Sequence, residues 1–303
     1  MFLENAFVIT DKHVGGVNLD IWPARNILEE LVFLRGYGAF EVMEAKGRKV
    51  FHLDDHLRRL EGAMKSLALP VITKNEESFA DFFKRVVKFE EIFPWKDERR
   101  SLVWVVVSGG RTEDGYDPAS PGNMYVLVSK LPNLRFRKDK GLVLRVFEHE
   151  REFPRIKTPN YCFAEIMQYA MGDPPNRFDD ILYMSKDGSV LEASKANFFI
   201  VKNRKLTTPR VNVLPGITRD IVIRLAEANK TSLVEDDITM GNVMRADEAF
   251  VTSTTKLVWP VREVFFKCGE NCLQRKIFSK EAGPVTMKLR REFLDYRRFY
   301  YKK

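Results

Sequence analysis

Residues 131–141 divide the chain into two stretches, each of which mixes short apolar runs with helical patterns. This segment, LPNLRFRKDKG, is polar and basic and contains Pro132 and Gly141, so it does not continue a strand or a helix. A chain of 303 residues exceeds one average domain and falls short of three. We therefore predict two domains, at residues 1–130 and 142–303, with a linker at 131–141.

The first stretch predicts strands, helices and one long loop. Its apolar runs at 101–107 and 123–129 have the length of buried strands, and the loop between them, residues 109–122, is a candidate binding loop. Apolar residues recur at helical spacing after Asp54 and Asp55, either of which can cap a helix there. The other predicted elements are strands at 40–45 and 49–53 and helices at 56–69 and around 77–93.

The second stretch begins a new pattern of alternating elements. Its short apolar runs are separated by the polar turns Lys186-Asp187-Gly188 and Lys202-Asn203-Arg204-Lys205, which is typical of strands joined by tight connections. The predicted elements are strands at 141–148, 180–184, 196–201, 205–209 and 248–253, and helices at 160–171, at 217–228 and at the C-terminus.

The net charge of +8 raises the question of a nucleic-acid partner, since a basic surface binds phosphates without sequence preference. The charge is spread along the chain, and the basic segment from Lys288 to Lys303 carries apolar residues at helical spacing. Such a segment is typical of a packed helix with one solvated face, so we predict no nucleic-acid partner.

The sequence predicts a protein without a membrane span or a secretion signal, because no run of 18 apolar residues occurs. The three cysteines are Cys162, Cys268 and Cys272. They are too few, and odd in number, to form a disulfide framework, which favours a reducing, cytoplasmic location. Cys268 and Cys272 lack a second pair of ligands, so no metal site is predicted.

Five sequence patterns follow one another in a fixed order and carry a resemblance. They are RGYGAFEVMEA…VFHLDDHLRRL at 35–60, RIKTPNY at 155–161, GSVLEASKANFFIV at 188–201, LPGITRDIVIRLAE at 214–227 and DEAFVTSTTKLVWPV at 247–261. Together they resemble the class IV aminotransferases, which are pyridoxal-phosphate enzymes of fold type IV. That family includes branched-chain and D-amino-acid aminotransferases and aminodeoxychorismate lyase.

The resemblance implies an α+β fold of two domains, a small N-terminal α/β domain and a larger C-terminal domain built on a barrel-like sheet. It also implies pyridoxal 5'-phosphate as cofactor and a homodimer. The implied reaction moves an amino group between an amino acid and a 2-oxo acid by a ping-pong mechanism.

Lys157 and Glu192 are the catalytic residues that the resemblance implies. Lys157, in RIKTPNY, matches the lysine that holds the cofactor as a Schiff base and then moves a proton at the substrate α carbon. Glu192, in LEASKANFF, matches the glutamate that pairs with the pyridine nitrogen. A carboxylate there keeps the ring protonated, and a protonated ring accepts electrons more readily.

The cofactor's phosphate calls for positive charge and N–H donors. Arg59 matches the family arginine, and a guanidinium fork suits phosphate oxygens. The predicted helix at 217–228 would direct the N–H groups of its first turn toward an anion. The remaining implied phosphate ligands are Gly216, Ile217, Thr218, Thr254 and Thr255.

Three further residues match positions around the cofactor and the substrate. Tyr161 matches the tyrosine that hydrogen-bonds the cofactor's phenolic oxygen. Phe40 matches a position that lines the substrate pocket, where it would offer apolar area without polar selection. Arg111, on the long loop, is a candidate for the substrate carboxylate, although a solvated loop arginine explains it equally well.

The substrate stays open at the level of the sequence. Phe40-Glu41-Val42 resembles the D-amino-acid enzymes more than the Phe-Glu-Gly of the branched-chain enzymes, while an apolar Phe40 suits branched and hydrophobic amino acids. Gly109-Gly110-Arg111 resembles a loop of aminodeoxychorismate lyase, so elimination is the second hypothesis. A third is a basic binding protein of this fold without catalysis, which has no need for both Lys157 and Glu192.

Overall fold

The computed structural model shows two compact units, which are described separately. One comprises Met1–Asn133 with Ile156–Asn160, and the other comprises Leu134–Arg155 with Tyr161–Lys303. The boundary predicted at 131–141 stays a prediction, because residues 132–140 are outside the described residues. The structure describes residues 3–9, 14–16, 29–69, 78–87, 99–131, 141–170, 178–269, 272–278 and 281–302.

The first unit contains an antiparallel sheet of six strands in the order β2-β1-β6-β5-β3-β4. In the central strand β5, the side chains of Val103, Val105 and Val107 are fully buried. Alternate residues of a strand share a face, so these valines line one side of the sheet. The strands are β1 Leu3–Ile9, β2 Val14–Gly16, β3 Gly38–Lys46, β4 Lys49–Val50, β5 Arg100–Ser108 and β6 Met124–Lys130.

In the described residues of the first unit, the helices are α1 Leu31–Arg35, α2 Leu53–Ser66 and α3 Phe79–Val86. Helix α2 buries Leu57 and Leu60 at helical spacing, and both join the valines of β5 in one hydrophobic core. The alternating apolar pattern of β5 and the helical pattern of α2 thus meet in this core.

Two sequence-based expectations for these helices are wrong. Helix α2 begins at Leu53, so Asp54 and Asp55 lie in its first turn, and the residue at the N-cap is His52 with φ 51°. Acidic side chains in a first turn still favour the helix through its dipole. Helix α3 ends at Val86 and not near residue 93, although residues 88–98 are outside the described residues.

The second unit contains a sheet of ten strands in the order β12-β11-β10-β14-β15-β7-β8-β9-β13, with β16 paired to β15. The pairs β11–β12, β15–β7 and β7–β8 are parallel, and the other pairs are antiparallel. The strands are β7 Leu142–Glu148, β8 Asp180–Met184, β9 Ser189–Ala193, β10 Asn197–Lys202, β11 Lys205–Thr208, β12 Leu233–Glu235, β13 Ile238–Thr239, β14 Glu248–Ser253, β15 Leu257–Gly269 and β16 Cys272–Ile277.

Strand β15 was not predicted from the sequence, although it lies between β14 and β7 in the middle of the sheet. It contains Pro260, and proline is rare inside central strands because it has no N–H for the ladder. Pro260 lies opposite Phe250 of β14, and the register with β7 begins only at Val261. The proline therefore falls just before the position where β15 gains its second neighbour.

The helices that the structure describes in the second unit are α4 Cys162–Ala170, α5 Ile217–Ala228, α6 Met240–Arg245 and α7 Pro284–Lys302. The C-terminal helix α7 is fastened by buried Glu248, the first residue of β14. Its carboxylate accepts the backbone N–H of Val285 at 3.0 Å and of Thr286 at 2.8 Å, and the Thr286 hydroxyl at 2.7 Å. These donors belong to the first turn, which has no intrahelical partners of its own.

Two further observations bear on the expectations for membranes and cysteines. No helix in the described residues is long and apolar enough to cross a membrane. Cys162 is an exposed free thiol, whereas Cys272 is disulfide-bonded, which the count of cysteines did not predict.

Candidate active site

Lys157 belongs to the short segment Ile156–Asn160, which packs with the first unit. Its carbonyl accepts the backbone N–H of Phe40 at 3.0 Å, and its Nζ lies 4.5 Å from the centre of the Phe40 ring. Trp104 also lies beside that ring, with its ring centre 6.1 Å away in a stacked arrangement. Phe40 therefore contacts both the backbone and the side chain of Lys157.

Arg59 lies on α2, where its side chain is mostly buried beside Glu41 of β3. Its Nε and Nη2 donate to the two oxygens of the Glu41 carboxylate, each at 2.7 Å. Burial alone would raise the pKa of Glu41, but the charge of Arg59 and the contact with His56 lower that pKa to about 2. Arg59 is thus a fixed cation with a fixed counter-ion.

The loop that carries Arg111 is held by two neighbouring glutamates. The Arg111 guanidinium forms an ion pair with Glu29, and the N–H of Thr112 donates to the Glu29 carbonyl at 2.9 Å. Buried Glu30 accepts the Tyr125 hydroxyl at 2.7 Å and also contacts Ser108 at the start of the loop. A substrate carboxylate at Arg111 would therefore compete with Glu29.

Glu192 is buried near the end of β9, where several N–H groups contact its carboxylate. Asn197 Nδ2 donates to Oε2 at 2.9 Å, the Leu214 N–H donates at 3.1 Å, and Arg151 Nη2 forms an ion pair with Oε1. An ionised carboxylate only accepts hydrogen bonds, so these donors suit the charged form. The carboxylate is consequently oriented as well as charged.

Helix α5 begins next to this carboxylate network. Its N-cap, Gly216, has no side chain with which to cap the first turn. A methyl group on Gly216 would lie 2.0 Å from Asn197 Oδ1, and Asn197 also donates to the Leu214 carbonyl at 2.8 Å. The start of α5 and the Glu192 carboxylate are therefore coupled through Asn197.

The other predicted ligands lie in three segments of the second unit. Ile217 is half-buried and Thr218 is buried in the first turn of α5, and the half-buried Thr254 and Thr255 follow the end of β14. Tyr161 is half-buried just before α4, where its carbonyl accepts the Glu165 N–H at 3.0 Å.

Sequence reasoning missed Arg151 and Glu41, which contact residues of the predicted site, and His56, which contacts Glu41. Arg151 pairs with Glu192 but lies in the polar stretch EHEREF, which carries no signal for a buried ion pair. His56 contacts Glu41 at 2.7 Å, and its buried position on α2 followed from helical spacing while its partner did not.

A family model described as amino-transferase class IV matches residues 38–264. The chain belongs to the class IV aminotransferase family. A putative branched-chain-amino-acid aminotransferase from Methanocaldococcus jannaschii is 30% identical over 295 residues, which are 94% of this chain and 96% of that protein.

Solved structures support the same fold for this class IV aminotransferase. A branched-chain aminotransferase from Thermoproteus uzoniensis has a TM-score of 0.75 at 23% identity, covering 96% of this chain and 93% of that one. A putative 4-amino-4-deoxychorismate lyase from Legionella pneumophila has a TM-score of 0.72 at 24% identity, covering 93% and 97%. The predicted α+β fold class is confirmed, and at these identities the likeness shows the fold alone.

Class IV aminotransferases use pyridoxal phosphate, and the described residues fit its chemistry. The buried Glu192 carboxylate suits a protonated ring nitrogen, and the amine of Lys157 suits an aldehyde. Arg59 in the first unit suits a phosphate, and so does the first turn of α5 in the second unit, which Gly216 leaves without a side-chain cap.

Gly216 gives a test of the coupling between α5 and Glu192 in this aminotransferase. In Gly216→Ala the new methyl group must displace Asn197, and such overpacking costs about 1–3 kcal/mol. We expect the apparent affinity for pyridoxal phosphate to fall about tenfold, measured by titration of the cofactor-free protein. Gly62→Ala is the control, because its methyl group meets nothing within 4 Å; equal affinities in both variants would contradict the coupling.

Proposed function

We propose that this class IV aminotransferase transfers the amino group of a branched-chain or other hydrophobic amino acid to a 2-oxo acid. The observation that carries the proposal is the contact between Lys157 and the ring of Phe40, at 4.5 Å. A substrate whose α carbon reaches the Lys157 amine would meet an aromatic surface there. Such a surface favours apolar side chains.

The relatives support the same substrate class. The Methanocaldococcus jannaschii protein, which this chain matches over 94% of its length, bears the description of a putative branched-chain-amino-acid aminotransferase. That likeness is consistent with an amino acid and a 2-oxo acid as substrates.

Each implied catalytic residue has a defined task in this proposal. Bound pyridoxal phosphate supplies an aldehyde and an electron-accepting ring. Lys157 holds the cofactor at rest, and during the reaction its Nζ takes the proton from the substrate α carbon and later returns one. Glu192 holds a proton on the ring nitrogen, while Arg151 and Asn197 keep its carboxylate in place.

The binding residues complete the proposal. Arg59 and the first turn of α5, with Gly216, Ile217 and Thr218, bind the phosphate together with Thr254 and Thr255. Tyr161 hydrogen-bonds the phenolic oxygen. Phe40 lines the substrate pocket, and Arg111 is the substrate-carboxylate candidate only if it exchanges Glu29 for the substrate. We further propose a cytoplasmic homodimer.

A titration with single amino acids tests the substrate. We expect L-leucine, L-isoleucine or L-valine to bleach the visible absorbance of the holoenzyme, and addition of a 2-oxo acid to restore it. If only D-amino acids bleach the absorbance, the enzyme is specific for D-amino acids and the proposed L-substrates are wrong. Release of pyruvate from aminodeoxychorismate without bleaching by amino acids would establish the lyase, and a colourless protein that binds no cofactor would leave only a binding function.

A further inference from the structure

Three polar side chains in the first unit form a buried cluster, and the proposed function assigns a role to one of them, Arg59, but none to the other two. Glu41 is 1% exposed and sits between Arg59 and His56. Arg59 meets the carboxylate with two parallel N–H donors at 2.7 Å, and His56 Nδ1 meets Oε2 at 2.7 Å. We call these residues the Glu41 cluster.

The protonation of the Glu41 cluster follows from its geometry. An ionised carboxylate accepts hydrogen bonds only, so Nδ1 of His56 must carry the proton in this contact. Burial lowers the pKa of His56, against the opposing charge of Glu41. The cluster therefore contains one anion, one cation and a neutral imidazole that donates to the anion.

Stability gives no sufficient reason for this arrangement. A buried ion pair often contributes less than apolar side chains of the same volume, because both charges lose their hydration. What the pair does provide is a fixed orientation. The carboxylate takes the Nε–H and one Nη2–H of Arg59, which fixes the guanidinium plane.

We propose that Glu41 and His56 are positioning residues that hold the Arg59 guanidinium in the orientation that binds the cofactor's phosphate. This inference rests on the proposed role of Arg59 as a phosphate ligand. Glu41 fixes the plane of the guanidinium, and His56 fixes the carboxylate. Binding then does not have to immobilise a long arginine side chain, which raises affinity.

Charge alone predicts the opposite effect of Glu41. A carboxylate beside a phosphate ligand repels the phosphate dianion and neutralises part of the attraction of Arg59. Under that view, Glu41→Gln would strengthen phosphate binding, and Glu41→Asp, which keeps the charge, would change little. Under the positioning role both variants weaken binding, because Gln loses the charged fork and Asp is one methylene too short to keep it.

The experiment compares pyridoxal phosphate with pyridoxal, which differs only in lacking the phosphate. Cofactor is removed from the purified holoenzyme, and the ratio of the apparent Kd for pyridoxal to that for pyridoxal phosphate is measured by visible absorbance. We expect this ratio to fall about tenfold in both Glu41→Gln and Glu41→Asp, the size expected for one side chain that must be ordered on binding. An unchanged or increased ratio in either variant would overturn the proposal.

Arg59→Gln, which removes the positive charge, separates this inference from the proposed function. If that variant leaves the ratio unchanged, Arg59 is not a phosphate ligand and the proposal falls with its premise. If it lowers the ratio while the Glu41 variants do not, Arg59 keeps its role and only the positioning by Glu41 is wrong.

His56 supplies a pair of variants that leaves the charged residues in place, for use if the Glu41 variants fail to fold. Asn places an N–H donor near the position of Nδ1, whereas Leu fills the space without a donor. We expect His56→Asn to keep the wild-type ratio and His56→Leu to lower it severalfold. Equal ratios in the two variants would contradict the role of His56.

Discussion

Replacing Lys157 with alanine is expected to remove both the visible absorbance of the bound cofactor and measurable transamination. The variant has no amine with which to hold the aldehyde, and none to move the proton at the substrate α carbon. Loss of a positioned acid–base group alone costs about 10²- to 10⁴-fold in rate. The measurements are the absorption spectrum of the purified variant and the rate of 2-oxo acid formation from L-leucine.

Lys202→Ala is the matched control for this change. Lys202 is a half-exposed lysine that pairs with Asp247 at 2.8 Å, so its loss removes an equal charge at the surface. We expect its spectrum and rate to equal those of the wild type. A Lys157→Ala variant that keeps the spectrum of the wild type would show that another amine holds the cofactor.

A small added amine sharpens the interpretation of Lys157→Ala. If the missing function is proton transfer at the α carbon, methylamine in solution should restore part of the rate in proportion to its concentration. It should restore nothing in a variant whose defect lies elsewhere in the site. The absence of any rescue would point to a structural role for the Lys157 side chain, such as its contact with the Phe40 ring.

Local spacing in the sequence was sufficient for most helices and strands. The helix predicted at 217–228 is α5 with the same limits, because its apolar residues recur at helical spacing directly after Pro215-Gly216. The strand predicted at 248–253 is likewise β14. A helix depends on residues three to four positions apart, and a strand depends on residues two positions apart. A single sequence contains both spacings.

Long-range pairing could not be predicted in the same way. The parallel pairing of β15 with β7 brings Val261 opposite Leu142. The residues of one strand do not indicate that the other strand is its partner. The segment around Lys157 similarly packs with the first unit because its carbonyl meets the N–H of Phe40, a partner 117 positions earlier in the sequence. These contacts follow from the packing of the whole chain.

Some side chains of the candidate site could be predicted from the sequence, and others could not. Lys157, Glu192 and Arg59 lie in patterns that resemble a family, so they could be named from the sequence. Glu41, which is buried, and Arg151, which is mostly buried, hold two of them from other elements. Burial of a charge is decided by tertiary structure, and a sequence pattern does not reveal which cation meets which anion.

Replacing Glu192 with glutamine is expected to lower the rate of transamination by about 10²- to 10³-fold, the loss typical of removing one preorganised electrostatic contact. Glutamine keeps the shape of the side chain, and its oxygen can still accept from Asn197 or from the Leu214 N–H. A neutral amide cannot hold a proton on the ring nitrogen, so the ring accepts electrons less readily. The measurement is kcat with L-leucine and a 2-oxo acid, together with the absorption spectrum.

Glu248→Gln is the matched control, because Glu248 is also a buried glutamate of the second unit whose carboxylate accepts backbone N–H groups. Both variants exchange a buried carboxylate for an amide, so both should lose stability, by about 1–3 kcal/mol in thermal or urea unfolding. Only Glu192→Gln should also lose its rate, since Glu248 fastens helix α7 and has no part in the proposed chemistry. Methylamine should not restore the rate of Glu192→Gln, because this variant still has the Lys157 amine. Equal losses of rate in the two variants would mean that Glu192 supports the fold without acting on the ring.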